Sequence, residues 1–277
     1  MKLYFHGATT MTSSLETDVE ASKLAGFTGL EVWASKLDHY LSVHSMAELS
    51  ALFSRNGIFP MVLNSIEFIG FRGNDYHQIQ SRCQELSIIA RAIGCPAIAV
   101  VPSPIPDHKI TWNEIVMEYV KVLRDMGKMA AGYGINLAFE PLGFGWCTVR
   151  TPRGAWEIIQ KTGMENVGMI LDAAHFHAGG GLLSELDELD TSRIFGFHID
   201  DLEDCPKEAI TDATRVMPGD GVVPLAAICE KLSRIGYDGH CSVELFRPEY
   251  WELDPAQVAI EAREKALKVL SPYFSME

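Results

Sequence analysis

The chain has 277 residues, 47% of them hydrophobic, and a formal charge of −14 at pH 7. That balance supplies a large core, repels nucleic-acid phosphates and leaves no apolar run near the roughly 20 residues of a membrane helix. The length fits one α/β barrel of roughly 250 residues or two smaller domains, and no Ser/Gly-rich or Pro-rich linker divides it. The opening Met-Lys-Leu-Tyr-Phe-His lacks the longer apolar core and cleavage site of a secretory signal. Six cysteines (Cys83, Cys95, Cys147, Cys205, Cys229, Cys241) are scattered without a C-x-x-C pair. They read as reduced, mostly buried thiols of a cytoplasmic protein.

Strand-like and helical runs alternate along the chain. Lys2–His6 predicts a strand, and Leu15–Ala25 a helix stopped by Gly26. Gly29–Trp33 predicts the second strand, followed by a helix over Ser45–Asn56 ending at Gly57. Met61–Ile66, a helix over Tyr76–Ile93 ending at Gly94, and the apolar strand Ala97–Val101 come next. A long helix over Trp112–Ala131 ends near Gly132. The strand Asn136–Glu140 is followed by a helix around Trp156–Lys161, and the strand Val167–Asp172 by a short helix near Leu182–Leu189. The strands Ile194–His198 and Cys241–Glu244 flank a helix at Leu225–Ile235, and a helix at Pro255–Leu270 closes the series.

About eight strand–helix units predict a single-domain (β/α)8 TIM barrel over residues 1–277. An open doubly wound sheet is the competitor. It usually carries a Gly-rich turn after the first strand, and His6-Gly-Ala-Thr-Thr is not G-x-G-x-x-G.

Four of the later strands each end on a metal-ligand side chain: Glu140, Asp172, His198 and Glu244. A carboxylate at the end of a buried apolar run must be paired, hydrogen-bonded or bound to a cation. Barrel active sites lie at the C-terminal ends of the strands, where all four of these residues fall. Three carboxylates and one imidazole converging there would bind a divalent ion, leaning to Mn²⁺ or Mg²⁺, with Zn²⁺ or Co²⁺ also compatible. The competing readings are a barrel-mouth ion pair for Glu140, a core histidine for His198 and a bridge to Arg247 for Glu244.

Other polar residues cluster near these ends. His175, in Asp-Ala-Ala-His-Phe-His, is a candidate substrate hydroxyl or oxyanion contact from the loop after Asp172. Arg215, in Thr-Arg-Val-Met-Pro-Gly-Asp-Gly, suits a substrate clamp carried on a flexible loop, or a plain surface arginine. Asp200 is a candidate to orient His198. Glu31 and Asn64 end the second and third strands and either line the pocket or serve buried hydrogen bonds. Trp33, Trp112 and Trp146 either wall a sugar ring or pack in the core. Cys147, downstream of Glu140, reads as an ordinary loop residue.

With these residues in view, the chain resembles the xylose-isomerase-like superfamily of sugar isomerases and epimerases, and within it the inosose isomerases. The resemblance runs end to end. It rests on Met-Lys-Leu-Tyr-Phe-His-Gly-Ala-Thr-Thr, Val-Gly-Met-Ile-Leu-Asp-Ala-Ala-His-Phe-His, Tyr-Asp-Gly-His-Cys-Ser-Val-Glu-Leu-Phe-Arg-Pro-Glu-Tyr-Trp, Tyr-Phe-Ser-Met and the block around Arg215. It implies Glu140, Asp172, His198 and Glu244 as ligands of one divalent metal ion, with His175 and Arg215 as substrate contacts. The chain departs from the family at His6, where Asn is frequent, and in Pro141–Trp146 after Glu140. Both departures lie near the mouth and bear on substrate choice.

The implied activity is metal-dependent isomerisation or epimerisation of a small-molecule keto-cyclitol or ketose. Glu140 and Glu244 would pass a proton through an enediolate stabilised by the ion. The alternative is a lyase on the same scaffold, an inosose dehydratase or a 3-ketoglycoside-eliminating enzyme, in which the enediolate expels a β-substituent. An apurinic-site endonuclease would need more ligands and a basic DNA face. A homo-oligomer is left open, with the C-terminal helix, Tyr250 and Trp251 as candidate surface.

Overall fold

In the computed structural model, which describes residues 1–276, eight parallel strands close into a barrel. They are β1 (Lys2–His6), β2 (Gly29–Trp33), β3 (Phe59–Ile66), β4 (Ala97–Val100), β5 (Asn136–Phe139), β6 (Val167–Asp172), β7 (Ile194–Ile199) and β8 (His240–Val243). Each strand pairs with its neighbours in sequence, and β1 closes on β8 with Leu3 opposite Cys241 and Phe5 opposite Val243. That last pairing excludes the open sheet and establishes the single-domain (β/α)8 barrel. Strand β3 starts at Phe59, ahead of the predicted Met61, because Phe59 N–H donates to Thr28 O.

The outer ring contains α1 (Leu15–Ala25), α2 (Ala34–Leu41), α3 (Met46–Asn56), α4 (Tyr76–Ile93), α5 (Trp112–Ala131) and α6 (Pro152–Thr162). It continues with α7 (Ala173–Gly179), α8 (Leu225–Arg234), α9 (Pro248–Trp251) and α10 (Pro255–Leu270). Local chemistry sets their ends. Ser45 is the N-cap of α3, accepting Glu48 N–H at 3.3 Å while Glu48 Oε2 accepts Ser45 N–H at 2.7 Å. Thr111 and Glu114 repeat the arrangement on α5. Helix α6 begins at Pro152 rather than Trp156, since Thr151 caps it and proline is tolerated in the first turn. Gly26, Gly57 and Gly94 adopt the left-handed conformation at the predicted stops, whereas after α5 that turn falls at Gly134 and not Gly132.

Three short helices were not expected: α2, α7 and α9. Two of them follow a strand without a gap, so no turn signal announces them. The predicted helix near Leu182–Leu189 is a 3-10 segment, Leu183–Glu188. Asp201–Leu202 and Arg215–Val216 pair as a small antiparallel ribbon beyond β7.

Packing falls into two layers. A large core between strands and helices includes Phe5, Leu30, Leu63, Leu137 and Phe197, all fully buried. A smaller core inside the barrel holds Val62, Ala97, Ala99, Ala138 and Ile170. Its small side chains fill the barrel below the charged residues at the strand ends. All six cysteines are free thiols, and all but Cys205 are buried. No helix of the described residues is long and apolar enough to cross a membrane.

Candidate metal centre

The barrel brings the four predicted strand-end residues together. Glu140 follows β5, Asp172 ends β6, His198 lies in β7 and Glu244 follows β8. All four are buried, and one donor atom from each lies within 4.8 Å of the others. His198 Nδ1 is 3.0 Å from Glu140 Oε1, 3.0 Å from Glu244 Oε2 and 3.7 Å from Asp172 Oδ2. His198 is a fully buried histidine with both ring nitrogens facing carboxylates, and Glu244 does not pair with Arg247. Arg247 instead pairs with Glu203 and Glu249 near the surface.

Charge in the cluster is unevenly compensated. Burial pushes the Glu140 carboxyl up, and neighbouring Glu244 and Asp172 reinforce the shift against His198, bringing it to about 8. Burial would also raise Glu244, but His198, His6 and Arg215 outweigh it and hold the group below its ordinary value. Asp172 lies well below its ordinary value because Arg215, His175 and His198 overcome burial. Burial pushes His198 down, yet Glu244, Glu31 and Glu140 drive it well above its ordinary value. The result is a carboxylate-rich centre in which burial and like charge favour the protonated form of Glu140, and the facing carboxylates that of His198. A divalent cation would take the place of those protons, and three carboxylates with one imidazole are a donor set that suits one. The residues present therefore fit the ion.

Arg215 is not on a flexible loop. It starts the second strand of the antiparallel ribbon and is only 1% exposed. Its Nη1 lies 2.6 Å from Asp172 Oδ2 and 3.3 Å from Glu244 Oε2, and it closely contacts the Asp200 carboxylate. Its Nη2 donates to His175 Nε2 at 3.1 Å and Asp212 Oδ1 at 3.2 Å. The guanidinium also sits 5.5 Å from the Phe246 ring centroid. The side chain faces the cavity, but it is an internal counter-ion as well. Asp200 does not orient His198; it contacts Arg215 and accepts Ala174 N–H at 2.9 Å.

His175 stands in the first turn of α7 rather than in a loop. Asp172 caps that helix, its Oδ1 accepting His175 N–H at 2.6 Å. Gly143 lets the segment after β5 pass against this helix, because a Cβ there would lie 2.3 Å from His175 O. The His175 ring packs edge-on to Phe144 at 4.8 Å. Burial, with Arg215, lowers its affinity for a proton despite Asp172, which agrees with Nε2 accepting from Arg215.

Glu31 serves buried hydrogen bonds, and Asn64 does so while also lining the cavity. Glu31 Oε2 lies 3.1 Å from His198 Nε2, and Asn64 Nδ2 donates to Glu31 Oε1 at 3.0 Å. His6 Nε2 lies 3.0 Å from Glu244 Oε1 and 3.6 Å from Glu31 Oε1, without a well-directed hydrogen bond. Sequence reasoning noted His6 only as a departure from the family, although it too is a polar residue ending an apolar strand.

Above the four candidate ligands lies a cavity of about 170 Å³, reached by Glu140, Glu244, His175 and Arg215. Trp33 and Phe246 form one wall, with their rings edge to face at 5.4 Å. Phe144 and Trp146 stack at 5.4 Å on the other, and Phe68 meets Trp146 edge-on. The aromatic character of Phe246, Phe144 and Phe68 at the mouth was not anticipated. Trp112 lies elsewhere, donating to Glu157 on the helical exterior. Cys147 is buried near backbone carbonyl groups and does not line the cavity.

Known proteins share this barrel. The pattern of the xylose isomerase-like TIM barrel family matches residues 19–269. The inosose isomerase of Halalkalibacterium halodurans is 37% identical over 280 residues, covering 100% of this chain and 99% of that protein. The inosose isomerase of Bacillus subtilis is 37% identical over 279 residues, with 100% of both chains covered. A crystal structure of the IOLI protein with a bound zinc atom superposes with a TM-score of 0.96 at 36% identity, again covering 100% of both chains.

Proposed function

Because the chain belongs to the xylose isomerase-like TIM barrel family, we propose that it is a divalent-metal-dependent isomerase of a keto-cyclitol of the inosose type. End-to-end similarity to inosose isomerases supports the activity class. The observation that carries the chemistry is the placement of Glu140 and Glu244. They approach His198 Nδ1 from β5 and β8, and both face one small cavity.

Glu140, Asp172, His198 and Glu244 would hold the ion. When bound, the ion supplies Lewis-acid polarisation of a carbonyl and an adjacent hydroxyl. The protein side of the reaction is proton transfer. One of Glu140 and Glu244 removes the proton beside the carbonyl, and the other returns a proton to the neighbouring carbon. His175 and Arg215 reach the same cavity and would hold substrate hydroxyls. The aromatic walls would exclude water and seat the apolar face of a ring. Mn²⁺ suits the carboxylate-rich donor set, and the zinc in the IOLI structure supports a divalent ion.

Proton NMR in deuterated water tests the proposal. Protein stripped with chelator and restored with Mn²⁺ should incorporate deuterium beside the carbonyl of 2-keto-myo-inositol. It should yield an isomer of unchanged skeleton. A product that has lost water would make the protein a lyase, while exchange unaffected by chelation would overturn the metal-dependent mechanism.

A further inference from the structure

We propose that Glu31 is a positioning residue that keeps the His198 proton on Nε2 and so presents the Nδ1 lone pair to the ion. The proposal rests on the metal-centre reading above. His198 is fully buried, with a single carboxylate on one side of its ring and the candidate ligand carboxylates on the other. Its Nδ1 faces Glu140, Glu244 and Asp172, whereas its Nε2 faces Glu31 Oε2 at 3.1 Å. A neutral imidazole has one N–H and one lone pair, and the partner of one nitrogen fixes what the other can do. Glu31 as a carboxylate only accepts, so with Glu140, Asp172 and Glu244 engaged by the ion it would hold the Nε2–H form. Ligation must then use Nδ1, the nitrogen that faces the carboxylates.

Glu31 is itself held in place. It is 1% exposed, and its other oxygen accepts Asn64 Nδ2–H at 3.0 Å. One carboxylate oxygen therefore engages β3 and the other engages β7.

A second grouping of donor atoms, His6, His198 and Glu244, also falls within 4.8 Å. It is not a competing ion position. His6 Nδ1 accepts Ala8 N–H at 3.0 Å, which leaves the ring proton on Nε2, the nitrogen that faces Glu31 and Glu244. His6 thus presents a donor where an ion would need a lone pair. The ion is left with the Nδ1 side of His198.

The test uses ¹⁵N-histidine-labelled full-length protein loaded with Zn²⁺, with long-range ¹H–¹⁵N correlations reporting each ring nitrogen. His198 should show a protonated Nε2 and a ligated Nδ1. Glu31→Gln should weaken Zn²⁺ binding by about tenfold, and Glu31→Leu by up to about a hundredfold. The visible bands of the Co²⁺-loaded protein should shift with them, which a merely structural glutamate would not cause. Ligation through Nε2 in the unaltered protein would overturn the proposal even if Glu31→Leu fails to fold. So would unchanged affinity and Co²⁺ bands in Glu31→Gln. If the unaltered protein binds no Zn²⁺, the metal-centre reading falls and this proposal with it. If it binds through Nε2, only this proposal falls.

Discussion

Arg215 Nη1 lies 2.6 Å from Asp172 Oδ2, and that same oxygen faces His198 Nδ1 at 3.7 Å. A buried guanidinium thus shares a carboxylate with the candidate metal position. Removing it would leave Asp172, Asp200 and Glu244 without their common counter-ion. Breaking a buried ion pair from one side costs about 3–5 kcal/mol. Arg215→Met should lower the unfolding free energy of metal-free protein by about that amount. Lysine cannot reproduce the forked donor geometry, so Arg215→Lys should recover only part of the loss. Urea denaturation checks both, and a fully stable Arg215→Met would count against the counter-ion role.

Glu140→Gln and Glu244→Gln should each reduce turnover by about 10²–10⁴-fold, the range for a lost general acid or base. Deuterium exchange beside the carbonyl separates their roles. The variant lacking the initial base should lose exchange, while the other should retain exchange but form little product. Full exchange and turnover in both would remove the pair from the mechanism.

The metal-free centre should respond to pH in a defined direction. Burial, aided by Glu244 and Asp172, raises the Glu140 carboxyl from 4.5 to about 8. The folded chain therefore holds a proton that the unfolded chain has released over that interval. The resulting stabilisation is fully present below about pH 4.5 and is lost as pH rises through about 8. Net pull from Glu244, Glu31 and Glu140 raises His198 despite burial and adds a loss of the same sign above its ordinary 6.5. Asp172 and Glu31, both held well below their ordinary values, titrate in a more acidic window and do not contribute here. Metal-free protein should melt at a lower temperature at about pH 8 than at about pH 6. Mn²⁺ should flatten that slope by displacing the protons. Calorimetry in buffers of different ionisation enthalpy should detect proton release on binding. Identical slopes with and without Mn²⁺ would argue against the ion at this position.

Trp146 is 45% exposed and stacks on Phe144 at the cavity mouth. Aromatic stacking of this kind contributes about 0.5–1.5 kcal/mol beyond area burial. Trp146→Ala should raise KM by about three- to tenfold with kcat nearly unchanged, because an indole ring neither takes nor returns the proton. Steady-state kinetics on 2-keto-myo-inositol provides the check, and a loss confined to kcat would contradict the assignment.

The barrel was legible because apolar runs alternate with helical ones and four runs end in residues that burial penalises. Glu31 and Asn64 carry the same strand-end signal. Their partners were not readable, since the facing strand end is set by barrel closure and not by local spacing. The buried setting of Arg215 was illegible for a related reason. A loop full of Gly and Pro reads as mobile, and only the pairing of Asp201–Leu202 with Arg215–Val216 buries the guanidinium. Helix α7 was hidden because Asp172 ends a strand and caps a helix at once. The tryptophans illustrate the limit of composition: Trp33 and Trp146 wall the cavity, while Trp112 lies on the helical exterior.

Closure of β1 on β8 also governs how the chain meets its ribosome. The hydrogen bond from Thr9 Oγ1 to Val243 O spans 234 positions in sequence. One edge of the first strand must wait, uncovered, through most of synthesis before its final neighbour emerges. An uncovered edge of apolar strand is a template for intermolecular pairing. The four candidate ligands emerge only in the second half of translation, with Glu244 last among them. Capture of a cation by the complete set of four therefore comes late in synthesis.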